Sequence, residues 1–263
     1  MELKIMTFNV LNGWNKTNIG ERDDLAASVV LSEKPDVIGF QEVDTCYRNA
    51  DDVPLSTLIA EYYSEAGEEH TTWNPIFYNK ERFCLVEFGE IPFEKGTVYN
   101  YPRGGLSGFR TVSYALLEEL GTKERFFLLN LHYDYNGKDA SITAENQLDE
   151  SKQVIALSKD LLKKHGAGAL FVTGDYNSKI NGVPCVTMLE NGFTDTYSVA
   201  VKKDNKGTCT ALGKALWGEY NNAAIDHIFY MGEKELRVNT YDTVDSIRDA
   251  SDHAPVLITV EIN

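Results

Sequence analysis

The 263-residue sequence has few cysteines, and the four that it has lie far apart. Cys46, Cys84, Cys185 and Cys209 form no CxxC pair, which argues against a disulfide framework and against a cysteine-based zinc site. We interpret them as small core residues of a protein in a reducing compartment.

Positive charge is also scarce, because 25 lysine and arginine residues stand against 40 aspartate and glutamate residues, for a net charge of −15. This balance weighs against broad electrostatic binding to nucleic acid or to an anionic membrane. A bound metal ion could still supply local positive charge, so the composition does not exclude a phosphorylated substrate.

Long apolar runs, internal repeats and low-complexity linkers are absent from the sequence. No signal-peptide or transmembrane stretch precedes the first predicted strand at 2–10, so we expect a cytoplasmic protein. We also expect a single domain over residues 1–263. No feature of the sequence indicates a protein partner or a membrane segment. The polar segments 94–108 and 202–222 read as long loops, which are often functional in compact domains.

The hydrophobic pattern predicts many strands and few helices. Helices are predicted around 21–33, near 54–65 and at 144–165. Strands are predicted at 2–10, 36–43, 72–79, 83–93, 109–118, 125–133, 168–174, 224–231, 236–243 and 254–261. Many strands with few helices between them indicate two packed sheets flanked by helices.

Polar side chains recur at the ends of six of these strands. Four strands lead from apolar residues into Asn9, Glu42, His132 with Asp134, and Asp175 with Asn177, whereas two later strands begin with Asp226 and with Asp252 and His253. Turn chemistry explains any one of these residues but explains six strands poorly. If the last two strands run antiparallel to the first four, all these groups lie at one edge, where α/β folds usually bind ligands.

Three of these residues offer oxygen ligands for a metal. Glu42, with Asp252 and Asn9 nearby, suits Mg²⁺, with Mn²⁺ as the alternative ion. Zinc is disfavoured because the sequence has neither a cysteine pair nor a histidine-rich ligand set.

The other polar groups suit catalysis at phosphorus. Asp175 could take a proton from an attacking water, and Asn177 could orient that water or hold a phosphate oxygen. His253, paired with Asp226, would be a donor or cation for the phosphoryl oxygens, with His132 as a second donor. Base, donors and metal around one phosphorus predict in-line displacement on a phosphoester.

Three further residues lie near these motifs. Arg110 opens a strand and could bind the phosphate of a substrate. Asp134 shares the face of an extended strand with His132, and two interpretations stay open, a role in the site or the capping of a turn. His227 should point away from Asp226 and is interpreted as a core histidine.

The motifs "FNVLNG", "QEVD", "NLHYD", "GDYNS", "IDHIF" and "SDHAPV" together resemble the ordered motifs of the endonuclease/exonuclease/phosphatase superfamily. This superfamily includes DNase I-like nucleases, abasic-site endonucleases, inositol polyphosphate 5-phosphatases and neutral sphingomyelinases. The resemblance spans Asn9 to Pro255, and Tyr176 departs from the leucine or phenylalanine usual in the GDxN motif. It implies a four-layer α/β sandwich, in which two mixed sheets pack face to face with helices outside.

The resemblance also implies a role for each matching residue. It implies that Asn9 lies near metal and phosphate, that Glu42 binds the metal, and that His132 contacts phosphate. It further implies that Asp175 is the general base with Asn177 as its partner amide, and that Asp226 orients His253 in the closing pair Asp252–His253.

The substrate class is approached by elimination. The sequence shows no basic stripe with interleaved aromatic residues, no basic loop for extra phosphates and no apolar hairpin for membrane contact. We therefore expect a small or modestly charged phosphomonoester or phosphodiester. A nuclease and a sphingomyelinase-like lipid phosphodiesterase remain the alternatives. A catalytically dead binding module is disfavoured because Glu42, Asp175 and His253 are all present.

Overall fold

The strands of the chain form three sheets in the computed structural model, which describes residues 1–11, 18–43, 53–67, 73–100, 107–135, 139–210, 223–244 and 249–263. The strands are β1 (Glu2–Asn9), β2 (Val37–Gln41), β3 (Tyr63–Glu65), β4 (Ile76–Asn79), β5 (Phe83–Pro92), β6 (Tyr99–Asn100), β7 (Ser107–Gly108), β8 (Thr111–Glu119), β9 (Arg125–His132), β10 (Ala169–Asp175), β11 (Thr194–Asp195), β12 (Lys202–Lys203), β13 (Asp226–Gly232), β14 (Leu236–Thr243) and β15 (Val256–Ile262). The helices are α1 (Ile19–Glu33), α2 (Leu55–Leu58), α3 (Ala140–His165), α4 (Val183–Glu190) and α5 (Thr196–Val199).

Two large mixed sheets make up most of this structure. The seven-stranded sheet has the order β12-β14-β15-β1-β2-β4-β3, and the six-stranded sheet has the order β11-β13-β10-β9-β8-β5. A small third sheet pairs β6 with β7. The fold is therefore the predicted sandwich of two mixed sheets with helices.

Three apolar clusters separate the layers. One cluster joins the inner faces of the two sheets, through residues such as Ile5 of β1 and Phe171 of β10. A second packs α1 and α2 on the seven-stranded sheet, and a third packs α3 and α4 on the six-stranded sheet. The alternation of inward and outward side chains along each strand fills both faces of both sheets, which gives four layers.

The strand directions bring the polar strand ends to one edge. β1 runs parallel to β2, and β9 runs parallel to β10, whereas β15 is antiparallel to β1 and β13 is antiparallel to β10. The condition set by the sequence, that the last two polar strands run in the reverse direction, is therefore met.

Several predicted elements have different limits in the structure. The helix predicted near 54–65 is wrong, because α2 covers only four residues and the chain then forms β3. Pairing of β3 with β4 at the edge of the sheet outweighs the local helical pattern. The helix predicted from residue 144 begins at Ala140, since the Asp139 side chain accepts hydrogen bonds from the backbone N–H groups of Ser141 and Ile142. The helix α4, with Pro184 in its first turn, was not predicted.

Three of the four cysteines lie in the part of the chain that is described. Cys185 is buried, Cys84 and Cys209 are half-buried, and all three are free thiols. Cys46 and parts of the predicted loops 94–108 and 202–222 lie outside the described residues. Within those residues, no helix has the length and apolar character needed to cross a membrane.

A buried set of polar side chains joins the two large sheets. Gln41 Nε2 donates hydrogen bonds to Thr7 Oγ1 at 3.0 Å and to Asn130 Oδ1 at 2.7 Å, and Thr173 Oγ1 donates to the same Asn130 oxygen at 3.1 Å. None of the four side chains is exposed to solvent. We call Thr7, Gln41, Asn130 and Thr173 the inter-sheet polar layer. This layer fixes the position of one large sheet relative to the other, because its hydrogen bonds form only over a narrow range of distances and angles.

Candidate active site

The carboxylate of Asp175, at the end of β10, is the point where the polar strand ends meet. Its Oδ2 accepts a hydrogen bond from Asn9 Nδ2 at 3.0 Å and lies 3.3 Å from His132 Nε2 and 3.7 Å from His253 Nε2. Its Oδ1 accepts a hydrogen bond from the backbone N–H of Asn177 at 2.8 Å. Side chains from both large sheets thus surround one buried carboxylate.

Asn9 joins two carboxylates of the cluster. Its Nδ2 donates to Glu42 Oε1 at 3.2 Å as well as to Asp175, and its Oδ1 accepts from the backbone N–H of Leu11 at 3.0 Å. A carboxylate only accepts hydrogen bonds and an N–H only donates, so these partners define the orientation of the amide. One lone pair of the Asn9 oxygen is thus used by the backbone N–H of Leu11, and the role of Asn9 as a metal ligand stays a prediction.

His132, at the end of β9, is held from behind by Arg110. Nη1 of Arg110 lies 2.6 Å from Nδ1 of His132, and both side chains are buried. A guanidinium has no acceptor, so Nδ1 must accept, and the ring proton sits on Nε2, facing Asp175. Arg110 therefore orients His132 in the structure, and its predicted contact with the phosphate of a substrate stays a prediction.

His253 is paired with Asp226, at the start of β13. Nδ1 of His253 lies 2.8 Å from Asp226 Oδ2, and the hydroxyl of Thr208 donates to the same oxygen at 2.5 Å. The Thr208 oxygen also accepts from the backbone N–H of Asp226 at 3.1 Å. Asp226 is thus fixed on two sides and holds the imidazole of His253 in one orientation.

Two supporting residues were missed by the sequence analysis. Thr208 lies 18 residues before Asp226 in a polar segment, and nothing in that segment marks it as a partner of Asp226. The hydroxyl of Ser251 donates to the carbonyl of Asn9 at 2.6 Å and accepts from the backbone N–H of His253 at 3.1 Å. Its position in "SDHAPV" was the available signal, but serine there also fits an ordinary turn.

Burial raises the pKa of both central carboxyl groups. The pKa of Asp175 rises to about 6, chiefly because the group is desolvated, while the nearby His253 acts in the opposite direction. The pKa of Glu42 rises to about 7 for the same reason, with Arg110 lowering it and Asp252 raising it further. The positively charged groups of the protein therefore do not offset the cost of burying Glu42 as an anion.

The two histidines of the site, His132 and His253, differ in their protonation state. Burial lowers the pKa of His132 well below its usual value, and the positive charge of Arg110 adds to this effect. Burial also opposes the charging of His253, but the carboxylates of Asp226 and Asp175 outweigh it and raise its pKa well above the usual value. His132 is consequently a neutral donor and His253 a cation.

Two site residues adopt left-handed backbone conformations. Glu42 has a φ of 58° and Asn177 has a φ of 48°. Asparagine adopts this conformation readily, whereas glutamate there is strained by about 1–2 kcal/mol. The amide Nδ2 of Asn177 also donates to the carbonyl of Tyr133 at 3.0 Å, so the side chain is fixed beside Asp175.

The donor set fits a hard divalent cation. Glu42 Oε2 and Asp252 Oδ1 are shielded from solvent and have no hydrogen-bond partner among the described residues. Unpartnered buried carboxylate oxygens are costly, and Mg²⁺ typically binds one or two carboxylates and completes its shell with water and phosphate. The residues present therefore fit the ion that the sequence predicted at Glu42 and Asp252.

Two groups of three residues also have possible ligand atoms within 4.8 Å of one another, Glu42 with His132 and Asp175, and Asp175 with Asp226 and His253. Hydrogen bonding accounts for most of this proximity. Both nitrogens of His132 face partners, and His253 is protonated, so neither imidazole offers a lone pair to a metal. Glu42 Oε2 and Asp226 Oδ1 are the buried carboxylate oxygens of these groups that have no hydrogen-bond partner among the described residues.

The remaining predicted residues lie around this centre. Asp134 is fully buried, and its carboxylate accepts hydrogen bonds from Thr97 Oγ1 at 3.1 Å and from Asn146 Nδ2 at 2.7 Å, so it fastens the segment before β6 to α3. His227 is buried, with Nε2 2.9 Å from the carbonyl of Ser178, in line with a core histidine. Tyr176 is buried, with its ring 5.0 Å from that of Tyr133.

Comparisons with known proteins identify the family and the fold. The sequence matches the model of the Endonuclease/Exonuclease/phosphatase family over residues 6–253. No curated protein matches the chain at a significant level.

Solved structures share the fold at low sequence identity. An endonuclease/exonuclease/phosphatase family protein from Bacteroides thetaiotaomicron has a TM-score of 0.76 and 21% identity, covering 99% of this chain and 95% of that one. A mannosyl-6-phosphatase from the same organism has a TM-score of 0.75 and 22% identity, covering 99% of both chains. TDP2 from D. rerio, in complex with a single-strand DNA product, has a TM-score of 0.70 and 16% identity, covering 99% of both chains.

Proposed function

Because the chain belongs to the endonuclease/exonuclease/phosphatase family, whose members hydrolyse phosphoester bonds, we propose that it is a Mg²⁺-dependent phosphoesterase of small or modestly charged substrates. The substrate would be a phosphomonoester or a phosphodiester. The observation that carries this proposal is the position of the Asp175 carboxylate, which lies between two histidines and within 4.8 Å of an oxygen of the Glu42 carboxylate.

Asp175 is the proposed general base. Its pKa of about 6 leaves it ionised at neutral pH and still basic enough to accept a proton from water. The N–H of Asn177 and the amide of Asn9 hold its two oxygens in place, so the carboxylate needs little reorganisation when the proton moves. The water would attack phosphorus in line with the leaving oxygen.

The two histidines would stabilise the phosphoryl oxygens. The protonated His253 supplies a positive charge, and Asp226 keeps its ring oriented. The neutral His132 supplies an N–H at Nε2. Charge-assisted hydrogen bonds to developing negative charge are among the larger contributions to such reactions.

Glu42 and Asp252 would hold the divalent cation, with Mn²⁺ as the alternative to Mg²⁺. When bound, the cation would act as a Lewis acid on a phosphoryl oxygen and would favour the ionised form of Glu42. Asn9 would support this site indirectly, because its Nδ2 is bonded to Glu42 Oε1.

The substrate preference is supported by charge. A chain of net charge −15 without a basic stripe is poorly suited to a long polyanion. A phosphatase of a sugar phosphate among the structural neighbours is compatible with a small substrate. A nuclease is the second candidate, supported by the neighbour that binds a single-strand DNA product.

A hydrolysis panel tests the proposal and separates the candidates. It should compare mannose 6-phosphate, glycerol 2-phosphate, bis(p-nitrophenyl) phosphate, single-strand DNA and plasmid DNA, each with Mg²⁺, Mn²⁺ or EDTA. We expect hydrolysis of at least one small ester with Mg²⁺, none with EDTA, and slow or absent cleavage of DNA. Faster cleavage of DNA than of every small ester would replace the proposal by the nuclease, and EDTA-resistant hydrolysis would exclude the metal.

A further inference from the structure

A cavity of about 400 Å³ lies beside the catalytic cluster, bordered by the loop after β10, the start of β13, α5 and β14. Its volume is in the range of sites that bind small molecules. We propose that this cavity is a second binding site, which takes a planar aromatic ring that carries an anionic group.

The floor of the cavity is largely aromatic and buried. Tyr241 and His227 are each 3% exposed, and Thr208 is 1% exposed. The ring of Tyr197 lies 5.1 Å from that of Tyr241 at an angle of 84°, so the two rings form a corner. Tyr241 has little accessible surface, whereas Tyr197 is half-buried, with Lys203 Nζ 4.6 Å from the centre of its ring. A flat ring of the ligand would therefore pack against the accessible part of the Tyr197 side chain, a kind of contact that aromatic groups favour.

The Asp195 carboxylate and the Nε2 atom of His227, which line the cavity, already have partners. The Asp195 carboxylate accepts hydrogen bonds from the backbone N–H groups of Tyr197 and Ser198, each at 3.1 Å. Nε2 of His227 faces the carbonyl of Ser178 at 2.9 Å, and a carbonyl only accepts, so this nitrogen carries a proton. An apolar ring could therefore occupy the floor without leaving these groups unsatisfied, and the anionic part of the ligand would face outwards.

The rim of the cavity carries positive charge. Lys179 and Lys206 are both exposed and both line the cavity. Lys179 forms no ion pair within the described parts of the chain, and Lys206 Nζ lies 4.0 Å from Asp204. Two lysines at one opening of a chain with net charge −15 favour an anionic group at the mouth.

The cavity is connected to the active site through Thr208. This residue lines the cavity, and its hydroxyl donates to Asp226 Oδ2, the oxygen that holds His253. A ligand in the cavity would contact the residue that positions Asp226. The ring could belong to the substrate itself or to a separate effector, and both share the chemistry of a planar anion.

Binding is tested with 8-anilinonaphthalene-1-sulfonate, a fluorescent planar anion without a phosphoester. The variant Lys179→Glu/Lys206→Glu should weaken binding by about tenfold or more, because two charge-assisted contacts become repulsive. The matched control is Lys159→Glu/Lys163→Glu, which makes the same charge change at another cavity, of about 440 Å³. Its affinity should stay within about twofold of the wild type.

A variant that fills the cavity gives an independent measurement. Ala224→Trp places a large side chain at the cavity wall and should abolish saturable binding in a variant whose circular dichroism is unchanged. Equal loss of binding in both lysine pairs, or retained binding in folded Ala224→Trp, would overturn the proposal. These titrations need no hydrolysis, so they stand apart from the test of the phosphoesterase.

The source of the ring is decided by inhibition. If the ring belongs to the substrate, the sulfonate should raise KM for a ring-bearing phosphoester and leave KM for glycerol 2-phosphate unchanged. If it belongs to an effector, the sulfonate should change kcat for both esters. A ligand that binds in the cavity and alters neither parameter would overturn the link between the cavity and the active site.

Discussion

Arg110 and His132 form a buried pair in which Nη1 of the arginine donates to Nδ1 of the histidine over 2.6 Å. The pair defines which nitrogen of His132 is free to donate towards Asp175 and the substrate. A guanidinium is suited to this task because it stays charged in the interior and keeps a fixed geometry.

Replacement of Arg110 should therefore impair catalysis through the histidine. Arg110→Met should lower kcat about 10- to 100-fold, the usual cost of removing a partner that orients a functional imidazole. Arg110→Lys, which keeps the charge, should recover part of the loss. The ¹⁵N shifts of His132 provide the specific readout, since wild type should show the Nε2–H tautomer and Arg110→Met a mixture. If Arg110→Met is slow but His132 keeps the Nε2–H tautomer, the loss of activity would instead be due to a lost contact between Arg110 and the phosphate of the substrate.

Asp175→Asn tests the general base. The substitution keeps the shape and removes the proton acceptor, so kcat should fall by ~10²–10⁴-fold. Asn177→Ala should cost less, because the backbone N–H that binds Asp175 remains. Steady-state kinetics with circular dichroism as the folding control are sufficient. A folded Asp175→Asn with normal kcat would show that Asp175 is only a turn residue.

Glu42→Gln tests the cation site. Loss of one anionic ligand should raise the Mg²⁺ concentration required for half-maximal activity, and excess Mg²⁺ should restore part of the rate. Mg²⁺ titrations of activity provide the measurement, with Glu33→Gln, a half-buried residue near the end of α1, as the control. Wild-type activity of Glu42→Gln at low Mg²⁺ would remove Glu42 from the ligand set.

These residues also show what the sequence could and could not reveal. The positions of Glu42, Asp175 and His253 were predictable, because each residue lies next to a strand that the hydrophobic pattern of the sequence predicts. The directions of these strands then bring the three residues to one edge of the fold. The supporting role of Thr208 was not predictable, since its contact with Asp226 arises only from tertiary packing. The strand β3 was missed for a similar reason, as pairing with β4 decided its conformation.

Glu150 on α3 should make stability depend on pH. Its side chain is fully buried, with Oε2 accepting from the backbone N–H of Asp134 at 2.9 Å. Burial raises its pKa well above the usual value, and the charges of Asp134 and Asp149 add to the shift, whereas the Asp134 N–H and Arg110 oppose it. A folded pKa above the unfolded one means that its stabilising contribution is present below the unfolded pKa and is lost as the pH rises.

Glu150→Gln keeps the shape and cannot ionise. The variant should match the wild type in stability near pH 4 and exceed it at pH 8, with a difference that grows between these values. Denaturant midpoints at several pH values provide the measurement. Glu145→Gln, at an exposed position of the same helix, is the control and should show no such trend. A constant difference across pH would mean that the pKa of Glu150 is the same in the folded and unfolded states.

Gly39 of β2 tests the packing of the inter-sheet polar layer. A Cβ at this position would lie 2.2 Å from Thr173 Oγ1 and 2.4 Å from Asn130 Oδ1. Gly39→Ala should therefore lower the free energy of unfolding by about 1–3 kcal/mol. In Gly121→Ala, the new Cβ would meet no heavy atom within 4 Å, so its stability should be close to that of the wild type. Equal stability of the two variants would show that the layer yields easily.

The inter-sheet polar layer lies one or two residues before the catalytic side chains on four strands, and those side chains come from two different sheets. Asn9 and Glu42 follow β1 and β2 of one sheet, whereas His132 and Asp175 end β9 and β10 of the other. Sliding of one sheet against the other would separate these groups directly, and a misplacement of about 1 Å can cost 10²-fold in rate. We therefore expect activity to fall on warming at a lower temperature than the one at which secondary structure is lost. The temperature optimum would then be set by movement of one sheet relative to the other, and not by unfolding of the chain.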